Sequence, residues 1–129
     1  MAQRIGEIAL LVRDYDEAIA WFTQKLGFVV LADTPIPPNE RWLTVAPPRA
    51  DMAIRLARAE TARQRKQVGH QADERVLLYL HTDDFERDYA AYIARGVRFV
   101  EAPRREKYGT VAVFEDFCGN RWDLIERKQ

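Results

Sequence analysis

The sequence predicts an α+β fold of two tandem βαβββ units whose curled mixed sheets surround a cleft, and three observations predict it. The first is a duplication. Asp14, Glu17 and Gly27 recur as Asp83, Glu86 and Gly96 at an offset of 69, and Tyr15, Ile19 and Phe22 recur as Phe85, Tyr89 and Tyr92 at an offset of 70. The second is a closing hairpin, Gly109 to Glu126, whose β-branched and aromatic runs flank a Gly119-Asn120 turn that tolerates positive φ. The third is a ratio of one helix to four strands in each half. A single helix covers one face of such a sheet, so the other face must pack elsewhere or enclose something.

Taken in order, Arg4 to Val12 is short, β-branched and bounded by Arg13-Asp14, which makes it a strand. Ile8, Leu10 and Val12 alternate with Glu7, Ala9 and Leu11, so the two sets face opposite ways. Asp14 and Glu17 have capping-box spacing and open a helix with the stripe Tyr15, Ala18, Ile19, Phe22 and Leu26; Gly27 closes it. Phe28 to Ala32 is the next strand. The prolines at 35, 37 and 38 make Asp33 to Glu40 a stiff loop, and strands follow over Arg41 to Ala46 and Met52 to Ala57. Residues 58–74 alternate Arg and Lys with Glu, Gln and Asp and form a solvated connector with at most a loose helical turn.

The same syntax then returns. Val76 to Leu80 is a strand, Asp83 and Glu86 open a helix with the stripe Phe85, Tyr89, Tyr92 and Ile93, and Gly96 ends it. Val97 to Val100 is a strand, Glu101 to Tyr108 a charged loop, and the hairpin completes the unit. The expectation is one domain over 1–129, with units 4–57 and 75–127 joined by the connector 58–74.

Composition narrows the function classes. Twenty basic residues offset twenty acidic ones, so no overall field gathers nucleic acid or an anionic membrane. The cations from Arg58 to Lys66 lack the interleaved aromatics of a recognition patch. Cys118 is the single cysteine, which excludes an intrachain disulfide and fits a reducing cytoplasm. No run approaches the ~18 apolar residues of a membrane span. A homodimer is expected, because two units leave sheet edges and a concave face that a second copy can complete.

The concave faces carry the candidate site: Glu7, Ala9 and Leu11 in the first half, Leu77, Tyr79, His81 and Asp123 in the second. Asp123, alone in an apolar strand, is either a ligand for metal or substrate or a carboxylate held by water. Trp42 is either wall or stacking platform. Arg55, if it faces inward, pairs with Glu7 or Asp123 or holds an anionic ligand. His81 is either bonded to the second helix cap or a proton donor and acceptor near neutral pH. His70 lies in the connector and is inert, and Cys118 lacks a neighbouring base to activate it.

Val12-Arg13-Asp14, Trp21-Phe22 and Leu26-Gly27-Phe28 in the first half, with Arg95-Gly96-Val97, Tyr108-Gly109 and Phe114-Glu115-Asp116-Phe117-Cys118-Gly119-Asn120 in the second, resemble the vicinal oxygen chelate (VOC) superfamily. That superfamily holds glyoxalase I, extradiol dioxygenases, and fosfomycin- and bleomycin-resistance proteins. The resemblance covers nearly the whole chain; Phe117 stands where the family's turn has proline.

The resemblance implies four metal-ligand positions, in the first and last strand of each unit. They fall on Glu7, on Ala53, Ile54 or Arg55, on Val76 or Leu77, and on Asp123. His81, about 13 Å along the strand from Leu77, cannot serve the same ion. Two carboxylates without imidazole or thiolate hold at best Mg or Mn.

The expected function is therefore binding of a small, partly aromatic or drug-like molecule in the cleft between the units by Trp42, Arg55, Leu77, Tyr79 and Asp123, with no tightly bound metal or other cofactor. The alternative is a metal-dependent enzyme, a glyoxalase I-like lyase or isomerase or a dioxygenase, using Glu7 and Asp123 on the metal and Glu7 or His81 for proton transfer.

Overall fold

The computed structural model describes residues 2–128, which fall into two compact units, up to Val68 and from Gly69 onward. The first unit runs β1 (Glu7–Val12), α1 (Tyr15–Lys25), β2 (Val29–Ile36), β3 (Glu40–Ala46), β4 (Ala53–Arg58) and α2 (Ala62–Gln67). Its sheet has the order β1-β4-β3-β2, with β1 parallel to β4 and the other pairs antiparallel. The second unit runs β5 (Val76–His81), α3 (Phe85–Ala94), β6 (Arg98–Phe99), β7 (Arg104–Glu106), β8 (Gly109–Glu115) and β9 (Arg121–Arg127). Here the order is β5-β9-β8-β6, β5 runs parallel to β9, and β7 also pairs with β8. Both units are thus βαβββ, the second with one strand broken in two.

Helices α1 and α3 each seal one face of their own sheet. Phe22, Ala18 and Tyr15 of α1 are buried with Leu10, Val12, Leu43, Val45 and Leu56. Phe85 and Tyr92 of α3 are buried with Phe114, Trp122 and Leu124, and the Tyr92, Phe99, Phe114 and Trp122 rings meet at centroid separations of 5.5–5.8 Å. The expected alternation holds: Leu10 and Val12 are buried while Glu7 and Ala9 on the opposite face are exposed.

Several boundaries differ from the sequence reading. The Asp14 carboxylate accepts from the Glu17 N–H at 2.7 Å, but Glu17 leans toward Arg13 at 3.8 Å rather than returning the bond, so the capping box is half made. Helix α3 begins one residue later than expected. Asp84 is its N-cap, accepting from the Arg87 N–H, while Asp83 pairs with the Arg87 guanidinium. The two N-caps and the apolar stripes thus share the offset of 70, and Gly27 and Gly96 differ by 69 because α3 has 10 residues and α1 has 11. Ile19 is half-buried, and Ile93 is exposed rather than part of the buried stripe.

Strand β2 continues through Pro35 to Ile36, where a loop was expected. It is an edge strand, and a proline with no N–H is tolerated where nothing pairs on its outer side. The connector contains α2, opened by a full capping box between Thr61 and Gln64, and Arg104–Glu106 of the expected charged loop pairs with β8 as β7.

The closing turn is fastened by one buried side chain. Asp116 accepts from the N–H groups of Cys118 and Asn120, the Asn120 side-chain amide and the Trp122 indole at 2.9–3.1 Å. Burial pushes its carboxyl above the usual range, and these donors pull it back. Gly69 packs on this turn at φ +80, so close that a Cβ there would stand 2.0 Å from the Cys118 carbonyl oxygen. No helix among the described residues is long and apolar enough to cross a membrane.

Candidate functional site

The face that α1 leaves open in the first unit is set by strand register. Ala9 pairs with Arg55, Arg55 with Thr44, and alternation places Glu7, Leu11, Glu40 and Trp42 on the same side. Arg55 lies over the Trp42 ring with its guanidinium carbon 4.7 Å from the centroid, and its Nη2 donates to Glu40 Oε2 at 3.1 Å. Arg55 Nε is buried and has no acceptor among the described residues. Trp42 remains 37% exposed, so the guanidinium covers the ring only in part.

The sequence reading put Trp42 and Arg55 in the site, and the structure brings them into contact. It does not pair Arg55 with Glu7 or Asp123; the partner is Glu40. That residue was missed because the neighbouring prolines marked it as loop, although Glu40, Trp42 and Thr44 alternate at a spacing of two. Glu7 is exposed and pairs across the backbone with Ala53.

In the second unit the matching open face carries Tyr79 and Asp123 as direct cross-strand neighbours, with Val113 on the far side of Asp123. Tyr79 is 59% exposed. The Asp123 carboxylate makes no hydrogen bond among the described residues, and its pKa is raised by burial, with Arg104 opposing and Glu101 adding to the rise. Arg104 is bonded to Glu101 and Glu106. Glu101 also accepts from the Val113 N–H at 3.2 Å, filling the gap where the strand breaks between β6 and β7. Neither Arg104 nor Glu101 was anticipated, because their segment reads as loop.

His81 is exposed and bonds to nothing at the helix cap among the described residues. Its neighbour Thr82 does that work: its hydroxyl donates to Asp88 and accepts from the Asp84 N–H. Leu77 is half-buried and sits in a bulge, where Val76 and Leu78 pair with consecutive residues of β9.

The register fixes which residues correspond between units. Leu10 pairs with Leu56 as Leu80 pairs with Leu124, and Thr44 pairs with Arg55 as Val113 pairs with Asp123. Arg55 is therefore the counterpart of Asp123, and Val76 and Leu77 share the place corresponding to Glu7. The four positions at which the VOC resemblance implies metal ligands carry a carboxylate, a guanidinium, an aliphatic side chain and a carboxylate. That donor set does not fit a transition metal, because a fixed cation at one position repels the ion and an alkyl group at another offers no lone pair. No group of three or more His, Cys, Asp or Glu side chains suited to a metal ion occurs among the described residues.

Comparison with known proteins agrees with this architecture. A protein of Shewanella frigidimarina (strain NCIMB 400), itself uncharacterized, is 47% identical over 128 residues, 98% of this chain and 95% of its own. The crystal structure of UcmS2 superposes with a TM-score of 0.84 at 30% identity, covering 97% of this chain and 98% of that one. TnmS3, an antibiotic binding protein from Streptomyces sp. CB03234, superposes with a TM-score of 0.79 at 28% identity over 98% of both chains. With the family model matching residues 4–124, the chain belongs to the Glyoxalase/Bleomycin resistance protein/Dioxygenase superfamily.

Proposed function

We propose that the protein binds a small, partly aromatic or drug-like molecule on the open faces of its sheets, without a tightly bound metal. The observation that carries this reading is Arg55, held by Glu40 and stacked on Trp42, at the place corresponding to Asp123. A part-exposed aromatic ring, one polar group beside it and small or aliphatic neighbours such as Ala9 and Leu11 make the kind of surface that small-molecule sites use. The second unit offers Tyr79 beside Asp123 with Val113. The likeness to an antibiotic binding protein supports a ligand of that size.

A thermal-shift screen of aromatic and antibiotic-like compounds tests this: compounds that raise Tm in a concentration-dependent way, on protein whose elemental analysis finds no stoichiometric metal, are the expected result. One equivalent of transition metal retained through purification and lost in Glu7→Gln would overturn it.

Asp123 favours a second reading, since a part-buried carboxylate with no hydrogen bond is poised to accept a ligand. In that reading the protein is a metal-dependent VOC lyase, isomerase or dioxygenase: the two carboxylates, Glu7 and Asp123, would hold an ion only with water and substrate oxygens filling the places the other two positions leave, and His81 or Glu7 would move a proton. It requires Mn, Ni, Fe or Zn to raise the melting temperature, and a flat response to all four rejects it.

The protein is also expected to form a homodimer and to work in the cytoplasm. Val29, Val30 and Leu31 are exposed along the edge strand β2, a place where a second copy can add. Sedimentation as a monomer at micromolar concentration would reject the dimer.

A further inference from the structure

Two arginines of the first unit differ in how far their donor forks are filled. Arg41, on the helix side, donates Nε and Nη2 to the two oxygens of Asp33 at 3.0 and 2.8 Å, and its Nη1 reaches Asp16 at 2.9 Å. This is the parallel, side-on pair of bonds that a guanidinium makes to a carboxylate. Arg55, on the open face, has the same Nε–Nη2 edge, but only Nη2 is engaged, by Glu40, while Nε is closed off from solvent and has no acceptor among the described residues. An unmet buried N–H is costly, so an acceptor that completes the fork gains the whole of that deficit.

The Glu40 side chain that holds the other half is 50% exposed and tied at one end, which makes it displaceable. Trp42 lies directly beneath the guanidinium and keeps part of its ring open. The fixed positive charge of Arg55 disfavours a cationic molecule, and a neutral ring offers nothing to the unpaired Nε.

We infer that the open face of the first unit selects a planar aromatic anion, one whose carboxylate, or a similarly forked pair of oxygens, takes both Nε and Nη2 of Arg55 in place of Glu40 while its ring lies against Trp42. This names the ligand class for the binding reading above and rests on it. The carboxylates of that face, Glu7 and Glu40, set the competition: the ligand's charge replaces that of Glu40 at Arg55.

Isothermal titration with three probes of equal ring size, 2-naphthoate, 2-naphthamide and 2-naphthylmethylammonium, tests the inference. Naphthoate is expected to bind roughly tenfold or more tighter than the amide, as a charge-assisted fork provides, and the ammonium weakest of all. Arg55→Gln removes the preference for naphthoate over the amide; Arg55→Lys, which keeps the charge but not the fork, retains part of it. Glu40→Gln, which weakens the competitor for Nη2, tightens naphthoate severalfold and more than it tightens the amide.

The inference is overturned if the amide or the ammonium binds as well as naphthoate, if Glu40→Gln weakens naphthoate, or if no naphthyl probe binds at millimolar concentration. Uncharged ligands found in the thermal-shift screen would then leave the binding reading standing without this ligand class. A bound stoichiometric metal would remove the binding reading itself.

Discussion

The two units share topology and register but resolve the same place in opposite ways. In the first, Arg55 on β4 has a carboxylate partner and an aromatic bed; in the second, its counterpart Asp123 on β9 has neither, and only the partly screened field of Arg104 offsets its burial. The turns that lead into these strands differ in the same sense. The link 47–52 in the first unit is held by the Ala50 N–H donating to the Pro47 carbonyl and by Arg4 donating to the Asp51 carbonyl, with exposed residues through most of its length. The corresponding turn of the second unit is closed on buried Asp116. The duplicated frame tolerates such divergence at these two positions because Arg55 and Asp123 are only partly buried, even though Thr44, Val111 and Ile125 on the same faces are buried.

The largest test of that contrast is Asp116→Ala. It strands the Cys118 and Asn120 N–H groups, the Asn120 amide and the Trp122 indole in a buried turn, and should cost roughly 3–5 kcal/mol in chemical denaturation. Asp51→Ala in the exposed link of the first unit should cost less than about 0.5 kcal/mol. Equal losses would show that the two turns are not fastened differently. Next in size is Gly69→Ala, which forces a Cβ toward the Cys118 carbonyl at a φ of +80 and should cost about 2–3 kcal/mol. Gly119→Ala, in open space at φ +101, should cost only the conformational part, roughly 1 kcal/mol.

A smaller effect sharpens the helix correspondence. Asp14→Ala and Asp84→Ala each remove an N-cap and should cost about 1 kcal/mol, whereas Asp83→Ala removes only an exposed ion pair and should cost less than either. If Asp83→Ala proved the more damaging of the two adjacent aspartates, the offset of 69 would be the right alignment for the caps after all.

How much of this was legible in the sequence follows from where the information lies. Helix stripes and alternating strands are local patterns, so α1, α3, β1, β5 and the closing hairpin could be read directly, and the repeat assembled them into βαβββ units. Pro35 hid the end of β2 because a proline forbids pairing on one side only, and which side is free depends on a partner in another strand. The helix α2 has no apolar stripe, and its one local sign was the Thr61-x-x-Gln64 spacing.

The site was legible as a set of faces but not as a set of contacts. Tyr79 and Asp123 fell on the concave face by alternation while the facing of Trp42 and Arg55 stayed open, and the register that matches Arg55 with Asp123 arises between β1 and β4, and between β5 and β9, over 40 residues apart in the chain. Glu40 was out of reach for the same reason. Its role exists only once β3 and β4 are side by side.

Asp123→Asn gives the smallest effect and bears most directly on the comparison. A carboxyl whose folded pKa stands above its ordinary value of 3.8 binds its proton more tightly in the folded chain than in the unfolded one. Its favourable contribution is therefore complete below that value and lost as pH rises through the folded pKa, so at neutral pH the ionised group opposes folding. Asparagine carries no such penalty. The variant should be more stable than the parent at pH 7 by less than about 1 kcal/mol, since solvent screens a side chain only partly buried. The gap should close below pH 3.8, where the parent is itself protonated. Asp116, also raised, and Asp33 and Asp88, both lowered, titrate alike in the two proteins and cancel from the difference. Denaturation curves for both proteins between pH 3 and 7 measure it. A gap of the opposite sign, with the parent gaining on the variant as pH rises, would mean that Asp123 is held by a partner as Arg55 is, and the asymmetry between the two open faces would disappear.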